Sequence, residues 1–174
     1  MQKGYVHIYY GDGKGKTSSA TGVALRAVAH NLKIAIFRFF KLKGVISEDK
    51  ILQKFSNIKI FYPRYSAPMF APEVPEKRII LDQQKLFEKA RIIVSKKEYD
   101  IIILDEVLDL VKYKVISTQD IVHLINKKPE NVEIILTGHY INKTLKKYAG
   151  LITYFKKIKH YYDKGVKARK GIEF

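Results

Sequence analysis

Residues 9–18 read Tyr9-Tyr10-Gly11-Asp12-Gly13-Lys14-Gly15-Lys16-Thr17-Ser18, residue types and a spacing suited to gripping a polyphosphate. Glycines let main-chain N–H groups turn inward around an anion, and a helix starting at the loop adds its unpaired amides and dipole. Lys16 then supplies a point charge, and the Thr17 hydroxyl can ligate a magnesium ion. The Gly-x-Gly-x-Gly-Lys-Thr core is intact, although the glycine that usually opens such a loop is Tyr10 here. A second set of chemical groups follows four apolar residues in Ile101-Ile102-Ile103-Leu104-Asp105-Glu106. Carboxylates at the end of a buried strand can hold Mg²⁺ or its waters beside Thr17 and phosphate oxygens. The pair could also be acids stabilised by a helix N-terminus; beside a phosphate loop, the metal reading is favoured. His7, His30, His123, His139 and His160 show no metal-ligand spacing and are expected to be structural.

These groups work only if strands and helices bring them to one edge. Strands are predicted over 5–10, 34–40, 58–62, 101–104, 132–136 and 151–155. Several are continuous Ile/Val runs, as expected where helices cover both faces of a parallel sheet. A helix is predicted over 16–30, with Ala20, Val23, Ala24, Ala27 and Val28 on one face, and another over 76–94 through Ile79, Ile80, Phe87, Ala90 and Val94. Ser117, with Asp120 three residues on, is expected to cap a third helix running to about Asn126. The alternation predicts one α/β phosphate-loop domain over 1–174, with a mostly parallel central sheet flanked by helices. Ligands of such sheets bind at the carboxyl ends of the strands.

At 174 residues and 47% hydrophobic, the chain can bury a real core, which excludes a disordered protein. It has no Cys, so disulfides, thiolate zinc sites and cysteine nucleophiles are excluded. Its apolar runs are too short to span a membrane and its start does not read as a signal peptide, so a cytoplasmic location is expected. The formal charge is +16, and residues 143–174 alone hold ten Lys/Arg against Asp163 and Glu173. That charge, with the basic C-terminal tail over 159–174, reads either as an anion-binding surface or as a solvated Lys-rich face. Pro63, Pro68, Pro72 and Pro75 fall within thirteen residues, in a stretch that also holds Tyr65, Met69 and Phe70 and follows Tyr62. This predicts an irregular, semi-rigid loop over 63–75, either a binding wall or a surface excursion.

Taken together, these segments resemble the phosphate-loop family of ATP:corrinoid adenosyltransferases. Tyr10-Gly11-Asp12-Gly13-Lys14-Gly15-Lys16-Thr17-Ser18 is close to that family's Thr-Gly-Asn-Gly-Lys-Gly-Lys-Thr-Thr, and Leu25-Arg26-Ala27-Val28-Ala29-His30 is similar to its Arg-Ala-x-Gly-His. Arg38-Phe39-Phe40-Lys41 resembles its Gln-Phe-x-Lys, Leu104-Asp105-Glu106 its Leu-Asp-Glu, and Thr137-Gly138-His139 its Thr-Gly-Arg. Residues 159–168 and Gly171-Ile172-Glu173 are similar to its C-terminal pattern. The resemblance implies a RecA-like fold and a reaction in which Co(I) of a reduced corrinoid attacks the 5′-carbon of ATP, releasing triphosphate. It implies Gly11, Asp12, Gly13, Lys14, Gly15, Lys16, Thr17 and Ser18 as the triphosphate cradle, and Lys16, Thr17 and Glu106 as catalytic residues. Thr17 and Glu106, with Asp105, would hold Mg²⁺ or Mn²⁺. A homodimer and a flavoprotein electron donor are also implied; a membrane or nucleic-acid partner is not. The family's corrinoid-facing loop carries a Trp, which this chain lacks, so Phe70, or else Tyr65 or Met69, is expected to face the corrinoid. The alternatives are a RecA-like ATPase acting with nucleic acid and a non-catalytic ATP-binding homologue.

Overall fold

The computed structural model describes residues 3–173. The apolar runs form strands β1 (Val6–Tyr10), β2 (Ile34–Arg38), β3 (Ile58–Phe61), β4 (Ile101–Asp105), β5 (Glu133–Gly138) and β6 (Leu151–Tyr154). They join one sheet in the order β3-β2-β4-β5-β1-β6, and every neighbouring pair is parallel. Helices α1 (Lys16–Val28), α2 (Asp49–Leu52), α3 (Glu76–Ser95), α4 (Val107–Lys112), α5 (Thr118–Asn126) and α6 (Lys143–Lys146) lie between the strands in sequence.

Period-two alternation splits the central strands between two cores. Ile101 and Ile103 of β4 pack with Ala20, Ala24 and Ala27 of α1 on one face. Ile102 and Leu104 pack on the other with Leu86, Phe87 and Ala90 of α3, and with residues of α4 and α5. Both faces are thus covered by apolar contacts, and this is why β2 and β4 are buried at every position. Ser117 and Asp120 form the expected reciprocal cap at the start of α5. The four- to six-residue helices α2, α4 and α6 are too short to show helical periodicity, and the sequence gives no sign of them. Among the described residues no helix is long and apolar enough to cross a membrane.

Two departures from the predicted strand ends shape the site. Strand β2 stops at Arg38, not at Phe40, because Phe40 takes a left-handed conformation (φ 58°) that reverses the chain. The Phe40 N–H is held there by Gln83 Oε1 at 3.0 Å. Strand β5 runs on to Gly138, which is level with Tyr10 of β1. Both changes carry polar residues to the carboxyl edge, where β1 and β4 also end.

Candidate active site

β1 delivers the phosphate loop to the carboxyl edge of the sheet. Gly11 (φ 127°) and Gly15 (φ 115°) hold backbone conformations that L side chains rarely adopt, and a Cβ on Gly11 would lie 2.3 Å from the Phe155 carbonyl oxygen. The Gly11 N–H donates to the Gly138 carbonyl (3.2 Å) and the Gly13 N–H to that of Phe155 (2.7 Å). These two amides therefore staple the loop to β5 and to the residue after β6, and do not turn toward an anion as the glycine spacing suggests. The helical ladder of α1 opens with Ser19 N–H to the Gly15 carbonyl at 2.8 Å. The amides of residues 15–18 precede that ladder and so have no acceptor within the helix, the arrangement that lets a helix end receive an anion.

Lys16 reaches back across the loop, donating to the Gly11 carbonyl at 2.7 Å and to that of Gly13 at 2.9 Å. Burial pulls its ammonium below the ordinary value, against the pull of Asp109 and Glu106. Asp12 and Lys14 face the C-terminal segment instead. Asp12 Oδ1 accepts from the Lys157 N–H at 3.1 Å. Lys14 Nζ lies 2.7 Å from Glu173 Oε1 and 3.1 Å from the Tyr161 hydroxyl. Part of the basic tail is therefore tied to the phosphate loop by its own acid.

The carboxylates after β4 behave differently from one another. Asp105 is fully buried. Its Oδ1 accepts from Thr17 Oγ1 (3.0 Å) and Thr137 Oγ1 (2.7 Å), and its Oδ2 from Arg38 Nη1 (3.2 Å) and Lys41 Nζ (2.8 Å). Burial pushes the Asp105 carboxyl up, but Lys41 and Arg38 outweigh this and hold it well below the usual carboxylate range. With four partners and no exposure, Asp105 stands behind Thr17, away from the position of a direct metal ligand that the sequence suggests. Glu106 takes a left-handed conformation (φ 65°) at the start of α4, with its N–H donating to Thr137 Oγ1 at 2.8 Å. Its side chain lines the cleft, and Oε1 pairs with Lys41 Nζ at 2.7 Å. Burial and the nearby Asp105 charge raise the Glu106 carboxyl, against Lys41.

These groups line a cleft of about 520 Å³ containing residues 13–18, Lys41, Glu48, Glu106, His139 and Glu173. Lys41, His139 and Glu173 lie in segments that carry the family resemblance, though no role is expected of them there, and Glu48 lies in none. Lys41 and Arg38 are brought to Asp105 because β2 lies beside β4, with Arg38 level with Asp105. Arg38, fully buried, also grips Asp49 at the start of α2, with Nη2–Oδ1 at 2.5 Å. His139 sits on the cleft wall with Nδ1 2.8 Å from Asp109 Oδ2. Phe70, in a 3-10 turn over Pro68–Phe70, is 74% exposed and does not line this cleft. The nearer part of its loop is anchored, since Asp82 Oδ2 accepts from the Arg64 and Tyr65 N–H groups at 2.6 and 3.1 Å. Among the described residues no group of three or more His, Cys, Asp or Glu side chains could hold a metal alone. The hydroxyl of Thr17 and the carboxylate of Glu106, at the mouth of an anion cradle, instead fit a hard ion that takes one or two protein oxygens plus phosphates.

The family model described as ATP:corrinoid adenosyltransferase BtuR/CobO/CobP matches residues 2–174. The chain belongs to this family. It is 28% identical to a corrinoid adenosyltransferase of Sinorhizobium sp., over 99% of this chain and 81% of that protein. It is 25% identical to the corrinoid adenosyltransferase of Escherichia coli strain K12, over 99% of this chain and 87% of that one. Among solved structures it is similar to the flagellar accessory protein FlaH of Methanocaldococcus jannaschii (TM-score 0.58, 12% identity, 88% of this chain and 72% of that one). It is equally similar to the RadB recombinase (TM-score 0.58, 13% identity, 91% and 77%). At those identities the likeness concerns the fold alone, and it agrees with the RecA-like sheet expected of this adenosyltransferase family.

Proposed function

We propose that the chain transfers the 5′-deoxyadenosyl group of ATP to the reduced cobalt of a corrinoid substrate, releasing triphosphate. Its triphosphate lies against the amides of residues 15–18 and Lys16, with Thr17 and Glu106 holding Mg²⁺ or Mn²⁺. The observation that carries this reading is the convergence of Lys16, Thr17 and Glu106 on one cleft in a chain matched almost end to end by the family model. When bound, the divalent ion neutralises phosphate charge. The chain's own groups orient and stabilise a highly charged leaving group, as preorganised amides and an ammonium do. Asp105 accepts a hydrogen bond from the Thr17 hydroxyl, so the Thr17 oxygen would offer a lone pair, and no proton, to the divalent ion. No side-chain general base is needed, because the nucleophile is the corrinoid's cobalt. A homodimer belongs to the same reading; β6, at the outer edge of the sheet, exposes Leu151, Ile152 and Tyr154.

The direct test supplies ATP, Mg²⁺ and a chemically reduced corrinoid in the dark. An adenosylated corrinoid with stoichiometric triphosphate is expected. Orthophosphate with no cobalt–carbon product would point to an ATPase. Glu106→Gln is expected to raise the Mg²⁺ concentration for half-maximal activity by about tenfold or more, with the fold intact by circular dichroism. An unchanged metal requirement would remove Glu106 from the ligand set. Phe70→Ala tests the corrinoid wall. The exposed ring makes little contribution to stability, so ATP affinity should stay within about twofold while the KM for corrinoid rises several-fold. Equal corrinoid kinetics in the variant would place the wall elsewhere.

A further inference from the structure

One side chain at the site holds the oxygens assigned above to the metal. Lys41 Nζ lies 2.7 Å from Glu106 Oε1, 2.8 Å from Asp105 Oδ2 and 3.0 Å from Thr17 Oγ1. The ammonium donates to Asp105 Oδ2 and to Thr17 Oγ1 and forms an ion pair with Glu106 Oε1. The turn at Phe40 places it there, and the side chain still lines the cleft. Thr17 donates its hydroxyl hydrogen bond to Asp105, so its oxygen meets cations through lone pairs, and Lys41 already occupies one of the two. A magnesium ion binds oxygen at about 2.0–2.1 Å, so an ion bridging Thr17 Oγ1 and Glu106 Oε1 would lie against the Lys41 ammonium and be repelled by its charge.

We propose that Lys41 is a tethered cation occupying the divalent-ion position, which a metal ion takes only by displacing it. This rests on the reading of Thr17 and Glu106 as metal ligands. The exchange replaces one positive charge by two, and the displaced ammonium needs a new anionic partner. A bare metal ion brings none; a metal–triphosphate complex brings several phosphate oxygens into the same cleft. Lys41 thereby selects the metal–nucleotide complex over the free ion and couples metal entry to nucleotide entry. Arg38 keeps Asp105 paired when Lys41 moves, so the acid behind Thr17 is never left bare.

The test measures binding of free Mn²⁺ by the loss of the free-ion electron paramagnetic resonance signal without nucleotide, and Mn²⁺ binding with ATP by calorimetric titration of preformed Mn²⁺–ATP into the protein, both in the absence of corrinoid. Lys41→Met should bind free Mn²⁺ about tenfold or more tighter than the unaltered chain, since a unit charge is removed from beside the ligands. With ATP the order should reverse, because the phosphates lose a partner. Lys41→Arg, which keeps the charge, should remain close to the unaltered chain for the free ion. If Lys41→Met does not fold, Lys41→Gln makes the same comparison. Free Mn²⁺ bound no tighter by the neutral variant, while Glu106→Gln weakens Mn²⁺ binding in the presence of ATP, overturns the role of Lys41 and leaves the metal site standing. Mn²⁺ binding with ATP that is indifferent to Glu106→Gln overturns the metal site itself, and the role of Lys41 with it.

Discussion

Lys16→Ala is expected to lower adenosyl transfer by about 10²–10³-fold, the loss typical when one preorganised donor to a developing anion is removed. Two effects combine in that figure. Among the described residues the ammonium is the charged donor that reaches inside the loop, between the carbonyls of Gly11 and Gly13. Removing it takes a positive charge away from the triphosphate and also unties the turn that aims the amides of residues 15–18. ATP affinity, measured by calorimetry without corrinoid, should fall with it, while thermal unfolding shifts little because the side chain is only partly buried. Lys16→Arg should recover little, since a planar fork does not fit the space of a compact ammonium. Transfer within about twofold of the unaltered chain would mean that the phosphates lie elsewhere.

The largest effect on stability is expected at Arg38. Arg38→Met should reduce unfolding free energy by about 3–5 kcal/mol, the usual range when one partner of a buried ion pair is removed. Its guanidinium is fully buried, with Asp49 on one side and Asp105 on the other. The variant leaves Asp49 with only neutral partners such as the Tyr62 hydroxyl. Arg38→Met combined with Asp49→Asn should recover part of the loss, since the stranded charge is then gone. The pH dependence has a definite sign. The Asp105 carboxyl is held below its ordinary value in the folded chain, so its contribution is complete above the unfolded carboxyl's value. It is lost as pH falls through the folded one. The deficit of Arg38→Met should therefore be largest near neutrality and shrink in acid. Denaturant titrations at several pH values measure it, and a loss below about 1 kcal/mol at pH 7 would show that the pair is not holding the structure.

All six strands and the three long helices are legible in the sequence, because continuous Ile/Val runs and a 3.6-residue apolar period are local signals. The phosphate loop is legible for the same reason: strand, glycines, Lys16 and the helix are consecutive. The cluster around Asp105 is not. Arg38, Lys41, Asp49 and Thr137 come from four places in the chain and meet only because β2 and β5 flank β4, an order that no local pattern encodes. Lys41 depends further on a left-handed Phe40, a conformation that a non-glycine residue rarely declares. The direction of the glycine amides was equally hidden, since the carbonyls that capture those of Gly11 and Gly13 belong to residues 138 and 155. The tie between Lys14 and Glu173 joins residues 159 apart.

The position of β1 bears on how the chain comes together during synthesis. Among the described residues it is paired with β5 and β6 alone, so this strand, made before the other five, must wait for β5 and β6 before it acquires neighbours. Until then the glycine loop has no carbonyl from residue 155 to bind, and nucleotide has no formed receptor. Long-range pairing of this kind slows maturation, and ATP, which favours only the completed arrangement, would draw late intermediates toward it by mass action.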